Sequence, residues 1–154
     1  MNQPPLLSLV IFTPWAGALL LTLLRRISPA ASRFIALGFS LSTLVFAFAL
    51  LASFDPARIT PQFTERHAWI AALNVHYHLG LDGLSLVLVL LTGFITPAAL
   101  LASWRLDYSV RLFGALFLML QGAALGVFLA LDFFHWFVFW ELSLVPAFFL
   151  IKLW

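Results

Sequence analysis

The chain contains no cysteine. That absence excludes disulfides, thiolate metal sites, iron–sulfur ligation and cysteine nucleophiles together. Charge is nearly as scarce: 9% of the 154 residues are Asp, Glu, Lys or Arg, against about 25% in a soluble domain. With 64% hydrophobic residues and a mean hydropathy of +1.08, too little polar surface remains to cover a water-exposed globule. The net charge of +2 and the pI near 9.7 do not point to nucleic acid. The basic residues form no patch; they punctuate the ends of apolar segments and read as orientation signals for a bilayer.

Long apolar runs are what the sequence has in place of charge. Five of them, over residues 6–24, 34–54, 84–103, 110–131 and 133–154, are each long enough to cross a hydrocarbon core of about 30 Å. The expected fold class is all-α, a polytopic transmembrane helix bundle of about five spans, with residues 1–154 forming a single membrane domain. A cleaved signal carries its positive charge before the apolar run. Here Arg25 and Arg26 follow the first run, so that segment is expected to be retained. The short segments "RRISPAASR" and "WRLDYSVR" are basic, whereas the long loop from Asp55 to Asp82 balances Arg58 and Arg66 with acids. The positive-inside rule then places both basic loops and the end carrying Lys152 in the cytoplasm, with the N-terminus and the long loop outside. Trp104 and Trp154 fall at the expected interfacial level.

Alternation in "NVHYHL" predicts a short strand or hairpin at the membrane surface, with His76 and His78 on one face. No cysteine or third ligand completes a metal set, so an ordinary polar strand is expected. Asp82, at the start of "DGLS", is placed to cap the third span. Pro14, Pro97 and Pro146 interrupt three spans, freeing the carbonyls of Val10, Gly93 and Leu142. For Pro14 and Pro97 a packing kink suffices. In the fourth span Gly114, Gly122, Gly126 and Ala130 line one helix face, which permits close helix contact. Gln121 lies beside that face, at mid-span, and is expected to point at protein: either as a helix–helix hydrogen bond or as a polar group on a hydrated path.

The fifth span holds a carboxylate inside "FVFWELSLVPAFF". An acid at a helix centre costs about 2.5–3.5 kcal/mol to insert, which the surrounding Leu, Val and Phe offset at roughly 0.3–0.6 kcal/mol each. Glu141 lies about 12 Å into the helix, too deep for its short side chain to reach headgroup water readily. Its neighbours at three and four residues are Phe137, Val138, Leu144 and Val145, all apolar. Another helix, an internal water or protonation must relieve it. An intramembrane acid of this kind is by default a functional candidate, as in proton relays. Pro146 exposes a carbonyl one residue from Glu141 that would anchor water. His135, beside Asp132 at the start of the same span, either feeds protons or simply marks the outer interface.

Several stretches resemble a known family. "LSLVIFTPWAGALLL", "YHLGLDGLSLVLVLLTGFITPAALLASW" and "LGVFLALDFFHWFVFWELSLVPAFFLIKLW" resemble subunit M of bacterial respiratory complex I, the counterpart of mitochondrial NADH dehydrogenase subunit 4. The resemblance implies an antiporter-like subunit in the membrane arm of NADH:quinone oxidoreductase, in the bacterial inner membrane. Glu141 matches the family's glutamate before "LSLVP", which pairs there with a lysine on a later broken helix and is thought to gate proton movement. Proton-translocation residues are therefore expected at Glu141 and Pro146, with Gln121 and His135 beside them. No cofactor is expected in this chain; NADH, FMN, iron–sulfur clusters and quinone belong to other subunits. The expected partners are the other membrane-arm subunits and the lipid bilayer, and not nucleic acid.

This chain departs from that pattern in length. Family members run to about three times as many residues with around fourteen helices, so the lysine-bearing and broken helices are missing. Lys152 cannot replace the lysine: it lies eleven residues, or roughly 16 Å along a helix, beyond Glu141. The resemblance thus implies the N-terminal third of such a subunit, present as a fragment, a truncated product or a split subunit completed by a second chain. Two other functions stay open: a membrane module that packs in or beside the complex without conducting protons, and a cation/proton antiporter subunit.

Overall fold

A computed structural model describes residues 5–24, 26–73 and 75–154. Arg25 of the first basic loop and Asn74 of "NVHYHL" lie outside the described residues. Among those described are five helices: α1 (Leu6–Leu23), α2 (Pro29–Ser53), α3 (Gly83–Ala102), α4 (Val110–Leu129) and α5 (Phe133–Leu153). With 18 to 25 residues each, they span about 27–38 Å, and all five are apolar enough to cross a membrane.

The five helices coincide with the five apolar runs of the sequence, and two boundaries differ from the expected ones by more than one residue. Helix α2 begins at Pro29, five residues before the expected start at Phe34, so Arg33 sits on the helix and not in a loop. The cause is local: the Ser28 hydroxyl accepts the Ala31 N–H, and Pro29 occupies the first turn, where its missing N–H costs nothing. Helix α4 ends at Leu129, before the expected Leu131, because Ala130 bridges to Leu79 and the Leu131 N–H donates to His78 O. Asp82 caps α3, its carboxylate accepting the Ser85 N–H at 2.7 Å.

Helix α4 is the hub, in contact with α1, α2, α3 and α5. Three members of its small-residue stripe allow the close contact that the spacing predicts, while the fourth, Ala130, lies past the helix end. Gly114 lies against Ala36 and Leu21, Gly122 against Trp15 and the Ile11 carbonyl, and Gly126 against the Phe139 ring. The Trp15 indole N–H, seated over Gly122, donates to Met119 O at 3.1 Å. Helix α5 is the least covered: 11% of its membrane window is buried, against 61% for α4. The outer surface is apolar, with Leu19, Val45, Phe94 and Phe148 all exposed, as lipid contact requires.

The predicted surface strand is half of an antiparallel hairpin, β1 (Gln62–Ile70) with β2 (Val75–Leu81). His76 and His78 stand opposite Ala68 and Arg66. A bulge between Gln62 and Glu65 contains Phe63, at φ 53°. Bulges re-aim the strand that carries them, and this one leaves Glu65 over the start of α1. At the opposite end Arg33 pairs with Asp107 at 2.9 Å. Arg111 donates to the Leu21 and Thr22 carbonyls that end α1. The Trp154 indole N–H donates to Tyr108 O, and Trp104 packs edge-on against Phe34.

Candidate functional site

The four residues singled out in the sequence lie at separate places. Glu141 and Pro146 share α5 but not a face. Pro146 is buried with His135 and Phe139 on the ridge that meets the bundle. At 3.6 residues per turn, Glu141 points about 140° away from that ridge. It is exposed, among the equally exposed Phe137, Leu144, Val145 and Phe148. Among the described residues, no hydrogen bond or salt bridge reaches its carboxylate. The relief that the sequence demands for this acid therefore does not come from α1–α4. Lys152 is no substitute; its ammonium lies over the Phe148 ring, 5.5 Å from the centroid.

Pro146 frees the Leu142 carbonyl. Leu142 lines two grooves that run between α1 and α5 and share Trp15: one of 240 Å³ with Ala18, Thr22 and Met119, the other of 320 Å³ beneath the hairpin. The residue whose carbonyl Pro146 frees thus lines the cleft beside α1, about a quarter-turn from Glu141.

His135 does not mark an open interface. It is 4% exposed, because the hairpin lies over it: its ring stacks on Phe139 at 4.7 Å and meets Tyr77 at 4.7 Å and Trp69 at 6.0 Å. Its Nδ1 is buried and has no partner among the described residues. Gln121 is 2% exposed at the middle of α4, and neither atom of its amide has a hydrogen-bond partner among the described residues. The direct helix–helix hydrogen bond considered for it is not formed.

Sequence reading passed over the carboxylates that fasten the hairpin. Glu65 Oε1 accepts the N–H groups of Leu7 (2.8 Å) and Ser8 (3.1 Å) at the start of α1. Its other oxygen accepts from the Ser8 hydroxyl, which also shares a 2.7 Å hydrogen bond with the Tyr77 hydroxyl. Burial pushes the Tyr77 phenol above its ordinary value; its bond to Ser8 opposes this and the Glu65 charge adds to it. At the other side, Asp132 caps α5 by accepting from Phe134 N and His135 N, and it also accepts from His76 N of β2. Partial burial works against ionisation there. The amides of His76, His135 and Phe134 outweigh it and hold the Asp132 carboxyl below the ordinary range.

Five apolar helices, four of them packed on a central α4, with the hairpin closing one end, define a multi-pass helical membrane protein. Within that class the chain is similar to proteins named subunit M or chain 4 of dehydrogenases and oxidoreductases. It is 40% identical over 153 residues to NADH-quinone oxidoreductase subunit M of Rhodobacter capsulatus, covering 97% of this chain and 30% of that protein. It is 39% identical to F(420)H(2) dehydrogenase subunit M of Methanosarcina mazei, covering 97% and 30%. To the chloroplastic NAD(P)H-quinone oxidoreductase chain 4 of Chara vulgaris it is 37% identical, covering 100% and 31%. The chain thus spans about 30% of the length of the curated relatives it matches. No protein-family model matches it. The fold recurs in a chain of the membrane-bound sulfane sulfur reductase, an archaeal respiratory membrane complex, with a TM-score of 0.77 at 21% identity, covering 97% of this chain and 23% of that one.

Proposed function

We propose that this chain acts as part of a proton-translocating membrane-arm subunit of an NADH:quinone oxidoreductase, with Glu141 as the acid that takes up and releases the proton. The observation that carries this reading is a carboxylate in mid-helix on the span that the other helices cover least. An acid placed there costs insertion energy and gains nothing from its own bundle. Its cation must come from further polypeptide, the lysine-bearing helices of a longer or second chain. The similarity to subunit M proteins, which this chain covers over about 30% of their length, supports that arrangement. NADH, flavin, iron–sulfur clusters and quinone would reside on other subunits of the same complex. The membrane would be the bacterial plasma membrane, with the hairpin outside and the Arg33–Asp107 end in the cytoplasm.

Pro146 would serve this role through the Leu142 carbonyl, a quarter-turn from Glu141, as an anchor for water. Gln121 and His135 would lie off the immediate path, one at the centre of the bundle and one beneath the hairpin. The competing reading is a packing module that conducts nothing, favoured by the lack of any hydrogen bond or ion pair at Glu141 among the described residues. The two separate in the assembled complex. Glu141→Gln should lower NADH-driven proton pumping while NADH oxidation and assembly persist; unchanged pumping in a normally assembled complex would favour the module.

A further inference from the structure

The centre of the bundle holds polar groups that the role of Glu141 does not use. Ser40, Thr43, Thr96 and Gln121 are all at least nine-tenths buried and occupy the middle of α2, α3 and α4. Helices α2 and α4 run in the same direction. Gly114 rests on Ala36, and two turns further along each helix the same faces carry Gln121 and Thr43. Ser40 flanks Thr43 on that face. Helix α3 runs the opposite way, with Gly93 against Leu44 and Ala47, so Thr96, one turn on, comes level with Thr43. Gln121 and Thr96 also line one groove of 230 Å³ between α3 and α4.

The chemistry of these groups is incomplete. The Thr43 and Thr96 hydroxyls donate to Phe39 O and Thr92 O within their own helices, which leaves their oxygens free to accept. Pro97 frees the Gly93 carbonyl at about the same depth. The Ser40 hydroxyl and both atoms of the Gln121 amide, which offers two donors and two acceptor sites, have no partner among the described residues. A polar group buried without a partner is destabilising, and one ordered water bonds on average to about three such groups.

We propose that the junction of α2, α3 and α4 is a buried water site at the membrane midplane, with the Gln121 amide as its principal ligand and Ser40 and Thr96 completing it. The site would make Gln121 a fixed, hydrated anchor of the helix core. It does not depend on whether Glu141 moves protons.

Water-edited solid-state NMR on the full chain in lipid bilayers tests this directly. Leu120–Gln121 is the one Leu–Gln pair in the sequence, so carbonyl-labelled leucine with labelled glutamine identifies Gln121 without mutation. The expected result is transfer from water to the Gln121 side-chain amide as fast as to amides of the exposed hairpin, slowed in a Ser40→Ala, Thr96→Val variant. Transfer to that amide no faster than to the Leu118 and Leu125 methyls would overturn the site. So would a native amide bonded only to protein hydroxyls.

Discussion

The carboxylate of Glu65 receives the backbone N–H of Leu7 at 2.8 Å, across 58 residues of sequence. An α-helix begins with N–H groups that have no partner inside it, and α1 lacks a side-chain cap from its own flanking residue. The hairpin supplies one from the far side of α2. Asp132 makes the matching link at α5, so two carboxylates fasten the hairpin across the ends of the first and last spans.

Replacing Glu65 by Ala should therefore destabilise α1 by about 1 kcal/mol, the usual worth of a helix N-cap, and release Tyr77 as well. Hydrogen exchange at the amides of Leu7 and Ser8 is the measurement. Faster exchange confined to those amides and to the hairpin is the expected outcome, with the α3–α4 contact unchanged.

Acid should loosen the same end of the molecule. The Asp132 carboxyl is held below the ordinary range in the folded chain, and so is that of Asp82, chiefly through the Ser85 amide. A depressed folded value contributes stability that is present above the unfolded value near about 3.9 and lost as pH falls through the folded one. Thermal unfolding in mild detergent between about pH 5 and about pH 3 should show this loss, and the Asp82→Asn, Asp132→Asn double variant should flatten it.

Alkali acts through Tyr77 with the opposite sign. Its folded value is raised, chiefly by burial, so the contribution is complete below the ordinary phenol value of about 10 and is lost as pH rises through the folded one. In a Tyr108→Phe background the phenolate absorbance of Tyr77 should appear only above that ordinary value, and Ser8→Ala together with Glu65→Gln should change where it appears.

Gly122 admits no side chain without movement. An added Cβ would collide with the Trp15 indole and lie 2.9 Å from the Ile11 carbonyl. Gly122→Ala should cost about 1–3 kcal/mol, as overpacking does, and it should shift Trp15 fluorescence. Gly38→Ala, where the added atom meets nothing, is the control.

The sequence made the spans legible because a bilayer demands uninterrupted apolar runs of about twenty residues. The start of α2 was missed where Ser28 and Pro29, a cap and a first-turn proline, stand in what reads as a basic loop. The second strand showed itself by alternation in "NVHYHL". The first, "QFTERHAWI", does not alternate cleanly because of the bulge at Phe63. Helix α5 is apolar on all sides of Glu141, so nothing in its periodicity tells which way that acid faces; only its packing on α4 does. Nor does any local pattern reveal that Glu65 caps a helix begun 58 residues earlier, or that His135 lies beneath a hairpin.

The most direct measurement is carbodiimide labelling of the full chain in bilayers, mapped by mass spectrometry. Hydrophobic carbodiimides react with protonated carboxyls in apolar surroundings. A proton-carrying acid on the uncovered face of α5 should give an adduct at Glu141 that is lost in Glu141→Gln, while Glu65, satisfied by three donors, stays unmodified. Absence of any adduct at Glu141 at every pH, in a chain that is folded and inserted, would contradict its assignment as the proton-carrying acid.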